Sequence, residues 1–267
     1  MRLSKDSTDD ATRHRILEGA LARLARSPHT NRFILRGGML MRLWFRPYDR
    51  PASDIDLVST SVFDIAAAEK QLTEALFTDA FDDGLAFNHH RYRVQGIWLN
   101  TEFPGVRMIA FGMTNGVEHP MSIDVTYGES LVPAPRIDEY PLANGRNVRF
   151  KMCRPEAILA RKLHALYAMG MRHWRPKDLN DVRLLLISKP VSLEDMLDGL
   201  VYSFRSRGDH EKGIDQLFAP DSWWTTKAAS ARWRDFVARS NGTVPRELSD
   251  AIHIVSKRLS PVLERLA

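Results

Sequence analysis

The sequence predicts an α/β protein: a mixed sheet with helices, followed by an all-helical C-terminal domain. Three observations predict it. From Phe33 to Phe77 the runs read strand, helix, strand, helix. Short segments of strand character then continue to Met152, and beyond it only helical periodicity remains. The change of character places a domain boundary near residues 150–154, dividing the chain into 1–152 and 153–267.

Taken in order, Asp9 to Ser27 carries Ile16, Leu17, Ala20, Leu21 and Leu24 at helical spacings with arginines between them. Phe33 to Leu35 is a short apolar strand, Gly38 to Phe45 a helix, and Pro47 to Ala52 a basic loop. Ser53 to Val58 is a second strand and Ala66 to Phe77 a further helix. Strands follow at Leu85 to Val94, Val106 to Phe111, Met121 to Thr126 and Asn147 to Met152, with the helices expected on one side of the sheet. Within Met121-Ser-Ile-Asp-Val-Thr the alternation sets Met121, Ile123 and Val125 on one face and Ser122, Asp124 and Thr126 on the other. In the second domain, helices are expected at Pro155 to Tyr167, from Pro176, at Ser192 to Ser203 and at Pro245 to Leu266. Cys153 at the boundary is expected to be a small packing residue.

Composition sets the class. The 267 residues carry 38 Lys and Arg against 33 Asp and Glu, a formal charge of +5, with a pI near 9.4. That balance suits an anionic partner without distinguishing a nucleotide from RNA or DNA. The excess is arginine-rich around one stretch, with Arg36, Arg42, Arg46 and Arg50, and arginine suits bidentate phosphate contact. A lone cysteine excludes an internal disulfide. No run approaches the ~18 apolar residues of a membrane span and the N-terminus has no signal-peptide core, so a cytoplasmic protein with no membrane partner is expected.

The chemistry concentrates between Phe33 and Val58. Phe33-Ile-Leu-Arg-Gly-Gly-Met-Leu-Met-Arg42 runs a strand into Gly37-Gly38 and then a helix, an arrangement whose backbone N–H groups can hold phosphate. Ser53-Asp-Ile-Asp-Leu57 follows. On a strand, side chains at i and i+2 share a face about 6.5–7 Å apart, so Asp54 and Asp56 point the same way. Paired carboxylates suit Mg²⁺, with Mn²⁺ the alternative, and two such ions are a recurring device in nucleotidyl transfer. Either motif alone is commonplace, as a turn or a solvated strand end; their order raises the signal. Asp124, on the polar face of a strand that can neighbour this one, is the candidate third carboxylate.

In the second domain, Ile158, Leu159, Leu163 and Leu166 form an apolar arc with Lys162 inside it, and a buried ammonium needs a carboxylate or phosphate. His164 falls near the opposite side and reads as a surface residue. Asp178 and Asp181, on the following helix, can meet Lys162 or a nucleotide, although first-turn acids are also favoured by capping and the helix dipole. Trp223, Trp224 and Trp233, with Arg232 and Arg234, can stack on single-stranded RNA, but core packing is the better reading of the tryptophans.

Leu35-Arg-Gly-Gly-Met-Leu-Met-Arg-Leu43, Ser53-Asp-Ile-Asp-Leu57, Arg161-Lys-Leu-His-Ala165 and Lys177-Asp-Leu-Asn-Asp-Val182, in that order, resemble the motifs of the AbiEii/AbiGii-type toxin nucleotidyltransferases, MenT-type toxins among them, within the polymerase-β-like nucleotidyltransferase superfamily. The resemblance implies a polymerase-β-like fold and a toxin, controlled by an antitoxin, that adds nucleotides from an NTP to RNA such as a tRNA 3′ end. It implies Asp54, Asp56 and Asp124 as metal ligands, Asp124 also serving as a candidate base. Arg36, Gly37, Gly38, Arg42, Ser53 and Asp181 are implied in nucleotide binding, and Lys162 and Asp178 in catalysis. The chain departs from many relatives at Gly38, where they carry a small hydroxyl residue, and from some at Ala52, where they carry a modifiable Ser or Thr; Ser53 is adjacent. A small-molecule acceptor, a silent RNA- or antitoxin-binding protein and, more weakly, a glycosyltransferase are the competing readings of the carboxylates.

Overall fold

The computed structural model describes residues 10–45, 51–77, 83–240 and 244–266. They group into two compact units that divide between Met152 and Cys153, except that Leu131–Ala134 belongs with the second.

The first unit opens with α1 (Asp10–Arg26), buried over most of its length because it is apolar at Ile16, Leu17, Ala20, Leu21 and Leu24 and its Arg23 finds Asp83 at 2.7 Å. A single 3₁₀ turn leads into β1 (Phe33–Arg36), then α2 (Gly37–Trp44), β2 (Ile55–Ser59) and α3 (Ile65–Leu76), whose first turn is capped by the Asp64 carboxylate accepting from Ala67 N–H. The remaining strands are β3 (Ala86–Ile97), β4 (Gly105–Thr114), β5 (Val117–Tyr127), β6 (Arg136–Pro141) and β7 (Asn147–Met152). All seven form one sheet in the order β3-β4-β5-β2-β1-β7-β6, with β2/β5 and β1/β7 parallel and the other pairs antiparallel. The expected mixed sheet is therefore observed. β6 was not anticipated: Arg136-Ile-Asp-Glu139 is exposed and charged, so it lacks the alternation of a half-buried strand.

The register matters more than the order. β2 and β5 lie side by side with Asp56 opposite Asp124; β4 sets Arg107 opposite Asp124, and β1 sets Arg36 opposite Asp56. Residues directly opposite share a face, so one row across four strands reads Arg107, Asp124, Asp56, Arg36. On β4 the other face, Val106, Met108 and Ala110, is fully buried, while Arg107, Ile109 and Phe111 are half-buried. α3 packs on β3 and β4, and α1 on β5 and β7.

The second unit consists of α4 (Pro155–His173), α5 (Pro176–Ser188), α6 (Leu193–Arg205), the short α7 (Asp215–Phe218), α8 (Lys227–Val237) and α9 (Leu248–Leu266). Proline in the first turn of α4 and α5 supplies a residue whose missing N–H would have lacked a helical partner. α4 packs on α5 and α6, and α9 on α5 and α6. No strand follows Met152 among the described residues. Trp224 and Trp233 are buried, their indole N–H groups donating to the Leu217 and Pro245 carbonyls. The Arg232 guanidinium donates to the carbonyls of Met171, Arg172 and Trp174 and so closes the end of α4. Cys153 is buried. No described helix is long and apolar enough to cross a membrane.

Candidate active site

The chemistry of the first unit converges where β2 and β5 run together. Asp54 stands just before β2, Asp56 is its second residue, and Asp124 lies opposite Asp56. One oxygen from each carboxylate lies within 4.8 Å of the others. Like charges so close repel unless a cation joins them, and three hard oxygen donors are the set that Mg²⁺ or Mn²⁺ prefers. The donor set therefore fits a divalent cation. Asp54 and Asp56 are half-buried, whereas Asp124 is 3 % exposed.

A residue not anticipated from the sequence, Arg107, already supplies positive charge there. Its Nε and Nη2 donate to the two Asp124 oxygens at 2.7 and 2.5 Å, a bidentate pair. Hydrogen bonding to Asp124 holds the guanidinium's pKa above its ordinary value; burial opposes this, and the charges of Asp124, Asp54 and Asp56 add to it.

The glycines explain themselves against Asp56. Gly37 has φ +68°, a left-handed conformation, and a Cβ there would lie 1.9 Å from Asp56 Oδ2. Gly38 N–H donates toward the same oxygen at 3.4 Å. The N-cap residue, Arg36, makes no side-chain cap of its own, and the first-turn amides and the carboxylates share one corner. Ser53 is exposed and its hydroxyl donates to Asp54 Oδ1 at 3.1 Å. The segment before it is anchored from α1, where His14 Nε2 accepts from Ala52 N–H at 2.9 Å. Arg42 is half-buried in the last turn of α2. Arg46 and Arg50 lie outside the described residues.

Arg36 requires a correction. Its guanidinium is buried and donates to Glu129 Oε2 at 2.6 Å and Thr126 Oγ1 at 2.5 Å. It stitches β1 to the end of β5, which removes it from the phosphate contact suggested by its position before Gly37.

In the second unit, the lysine on the inward arc does meet carboxylates. Lys162 Nζ lies 2.7 Å from Asp178 Oδ1 and 2.9 Å from Asp181 Oδ2, and Arg175 Nε donates to the other Asp178 oxygen at 2.6 Å. Lys162 is 14 % exposed and Asp181 fully buried. Burial pushes the Asp178 carboxyl upward, but the Lys162 and Arg175 charges outweigh it and hold the carboxyl below its ordinary value. His164, expected at the surface, is buried: it bonds Asp209 Oδ2 at 2.8 Å and meets Phe204 edge-on at 4.9 Å. Its face of α4 is covered because α4 packs on two helices, not one.

A mixed sheet whose Gly-Gly helix start faces a carboxylate triad is the architecture of a nucleotide-handling enzyme, and comparison with known proteins narrows it. The chain belongs to the family described as nucleotidyl transferase AbiEii toxin, type IV toxin–antitoxin system, which it matches over residues 19–254. It is thus a nucleotidyltransferase of toxin–antitoxin type. The crystal structure of JHP933 from Helicobacter pylori is similar in fold at 14 % identity, with TM-score 0.56, covering 97 % of this chain and 94 % of that one. A nucleotidyltransferase-like antigenic protein from Paracoccidioides brasiliensis aligns at 15 % identity and TM-score 0.42, covering 74 % and 92 %. No curated protein matches the sequence.

Proposed function

We propose that this enzyme transfers a nucleotidyl group from an NTP to the 3′ hydroxyl of an RNA, a tRNA 3′ end, with Mg²⁺ as its metal and Mn²⁺ as a substitute, and thereby blocks translation and growth. The observation that carries this reading is the convergence of Asp54, Asp56 and Asp124 beside the glycine turn at the start of α2. In the reaction the hydroxyl oxygen bonds to the α-phosphorus and pyrophosphate leaves. Asp54 and Asp56 hold the metal, with Asp124 as third ligand or as base toward the hydroxyl. When bound, Mg²⁺ neutralises triphosphate charge and makes the hydroxyl more acidic. The amides of Gly37 and Gly38, with Arg42 and Ser53, orient the triphosphate.

From the helical unit, Lys162 is proposed to neutralise phosphate charge with the N–H donor left after Asp178 and Asp181 take two of its three. Asp178 and Asp181 orient it. In this reading residues 1–152 are the transferase domain and 153–267 a helical domain, and the enzyme works in the cytoplasm under a cognate antitoxin.

The test is to incubate purified protein with total RNA, Mg²⁺ and each α-labelled NTP in turn, wild type beside Asp56→Asn. A labelled tRNA-sized band with one NTP, lost in the variant, is expected. Label that persists in the variant would remove the carboxylate assignment, and label that never enters RNA would remove the acceptor.

A further inference from the structure

Next to the carboxylates, the same face of the sheet continues outward as a basic, aromatic surface with no role so far. Reading the register from Asp124, Arg107 lies opposite it on β4 and Gln95 lies opposite Arg107 on β3. Two residues along, Arg93 faces Ile109, and two further along β4 comes Phe111. Side chains two apart share a face, so these residues line one surface with Asp124 and Asp56. Arg91 joins them despite the register break between Phe87 and Tyr92, because its guanidinium covers the Phe111 ring 3.9 Å from the centroid. Arg91 and Arg93 are exposed. On β4 the opposite side, Val106, Met108 and Ala110, is buried core.

Charge on β3 has a simpler partial explanation, since it is an edge strand and charges there prevent sheet-to-sheet association. That accounts for arginines pointing anywhere. It does not account for two of them sharing the carboxylate face with Arg107, or for one placed over an aromatic ring. Glu118 accepts from Arg91 at 2.5 Å, and the Arg91 side chain stays 59 % exposed. Open sheet faces with aromatic or guanidinium planes are how proteins stack unpaired bases, while flanking arginines take the phosphates. From Arg107 to Phe111 is about 13–14 Å along the strand, a span for a few nucleotides.

We propose that this face is the track on which a single-stranded RNA end approaches the carboxylate site, with a base stacked on the Arg91–Phe111 pair and backbone phosphates held by Arg93. The inference rests on the RNA-acceptor reading above and names the surface that reading needs.

The experiment is fluorescence anisotropy of a 5′-labelled single-stranded RNA with full-length protein across a salt series. The double variant Arg91→Gln, Arg93→Glu should bind about tenfold more weakly, and its log–log salt slope should fall by about 0.7 for each lost phosphate contact. Phe111→Leu should weaken binding several-fold with little change of slope, since it removes stacking and not charge. Lys227→Glu, an exposed change on α8, should do neither. Thermal midpoints close to wild type would show that the variants are folded, and if Phe111→Leu is unstable the exposed arginine variant decides alone.

Wild-type affinity and slope in the double variant would overturn the track while leaving the RNA reading intact. Loss of the same size in Lys227→Glu would also overturn it, as a general charge effect. If poly-L-glutamate competes as well as RNA of equal charge, the face belongs to an acidic protein partner instead. If wild-type protein binds no RNA, the acceptor reading itself fails.

Discussion

Two clusters of charge, one in each unit, are built from the same residue types on opposite rules. In the sheet unit three carboxylates are driven together, Asp54, Asp56 and Asp124, with oxygens within 4.8 Å of one another and two of the residues half-exposed. In the helical unit the charges alternate: Arg175, Asp178, Lys162, Asp181, each acid against a base and both acids almost wholly buried. Convergent like charge at an accessible place stores repulsion that a cation relieves, so it serves binding at some expense of stability. Alternating buried charge is the reverse. Each member makes its neighbour tolerable, and losing one strands another. The first arrangement is read as function, whereas the second must hold the fold before it can do anything else.

The largest effect that can break this contrast is expected from Lys162→Met. It leaves Asp178 and Asp181 buried without their shared ammonium and should destabilise the protein by about 3–5 kcal/mol, the usual consequence of removing one partner of a buried pair. Denaturant unfolding measures it. A variant as stable as wild type would mean that the cluster is a binding site and not a structural one.

Asp56→Asn should do the opposite. Transfer activity should fall by more than about 100-fold, beyond what losing a mere outer-shell partner does to a metal site, while stability stays within about 0.5 kcal/mol of wild type or rises. The asparagine keeps an acceptor for Gly38 N–H, so a large drop in the thermal midpoint would count against the idea that Asp56 is held under repulsion.

Arg107 sharpens the comparison because it brings a base into the acidic cluster. Its bidentate hold on Asp124 competes with a cation for the same oxygens. Arg107→Gln should therefore bind Mn²⁺ more tightly, by about fivefold if about 1 kcal/mol of charge repulsion is removed at this partly exposed position. Titration followed by electron paramagnetic resonance reads this without any turnover. Weaker Mn²⁺ binding would show that Arg107 positions Asp124 for the metal and does not stand in its place.

The two clusters were not equally legible. Local periodicity revealed what needs only one element: Asp124 on the polar face of an alternating strand, Asp54 and Asp56 two apart, Lys162 inside an apolar helical arc with Asp178 and Asp181 ahead of it. The family match adds the activity. What stayed hidden depends on which elements become neighbours. Arg107 looks like any solvated strand residue until β4 sets it opposite Asp124. Arg36 looks ready for phosphate until Glu129, 93 residues away, claims it. His164 is misplaced by a wheel that assumes one buried face on a helix that has two. β6 lacks the apolar alternation that would announce it.

The smallest expected effect separates the charges of the helical unit by pH. His164 is held below its ordinary value of 6.5, chiefly by burial, with Asp209 opposing. Asp178 is held below 3.8: burial pushes its carboxyl up, and Lys162 and Arg175 more than reverse this. A group whose folded pKa is depressed binds protons more readily in the unfolded chain, so its contribution is complete above the unfolded value and is lost as pH falls through the folded one. The stability of the protein, followed by denaturant unfolding at successive pH values, should thus decline in two stages. The first begins as pH falls past 6.5 and the second as it falls past 3.8. His164→Gln should abolish the first stage, and Asp178→Asn should shrink the second, to which Glu211, held down to about 2 by its hydrogen bond from Arg205, also contributes. If Asp178→Asn leaves the acid stage intact, the alternating cluster does not report on folding, and the division between a binding cluster and a structural one fails at its structural end.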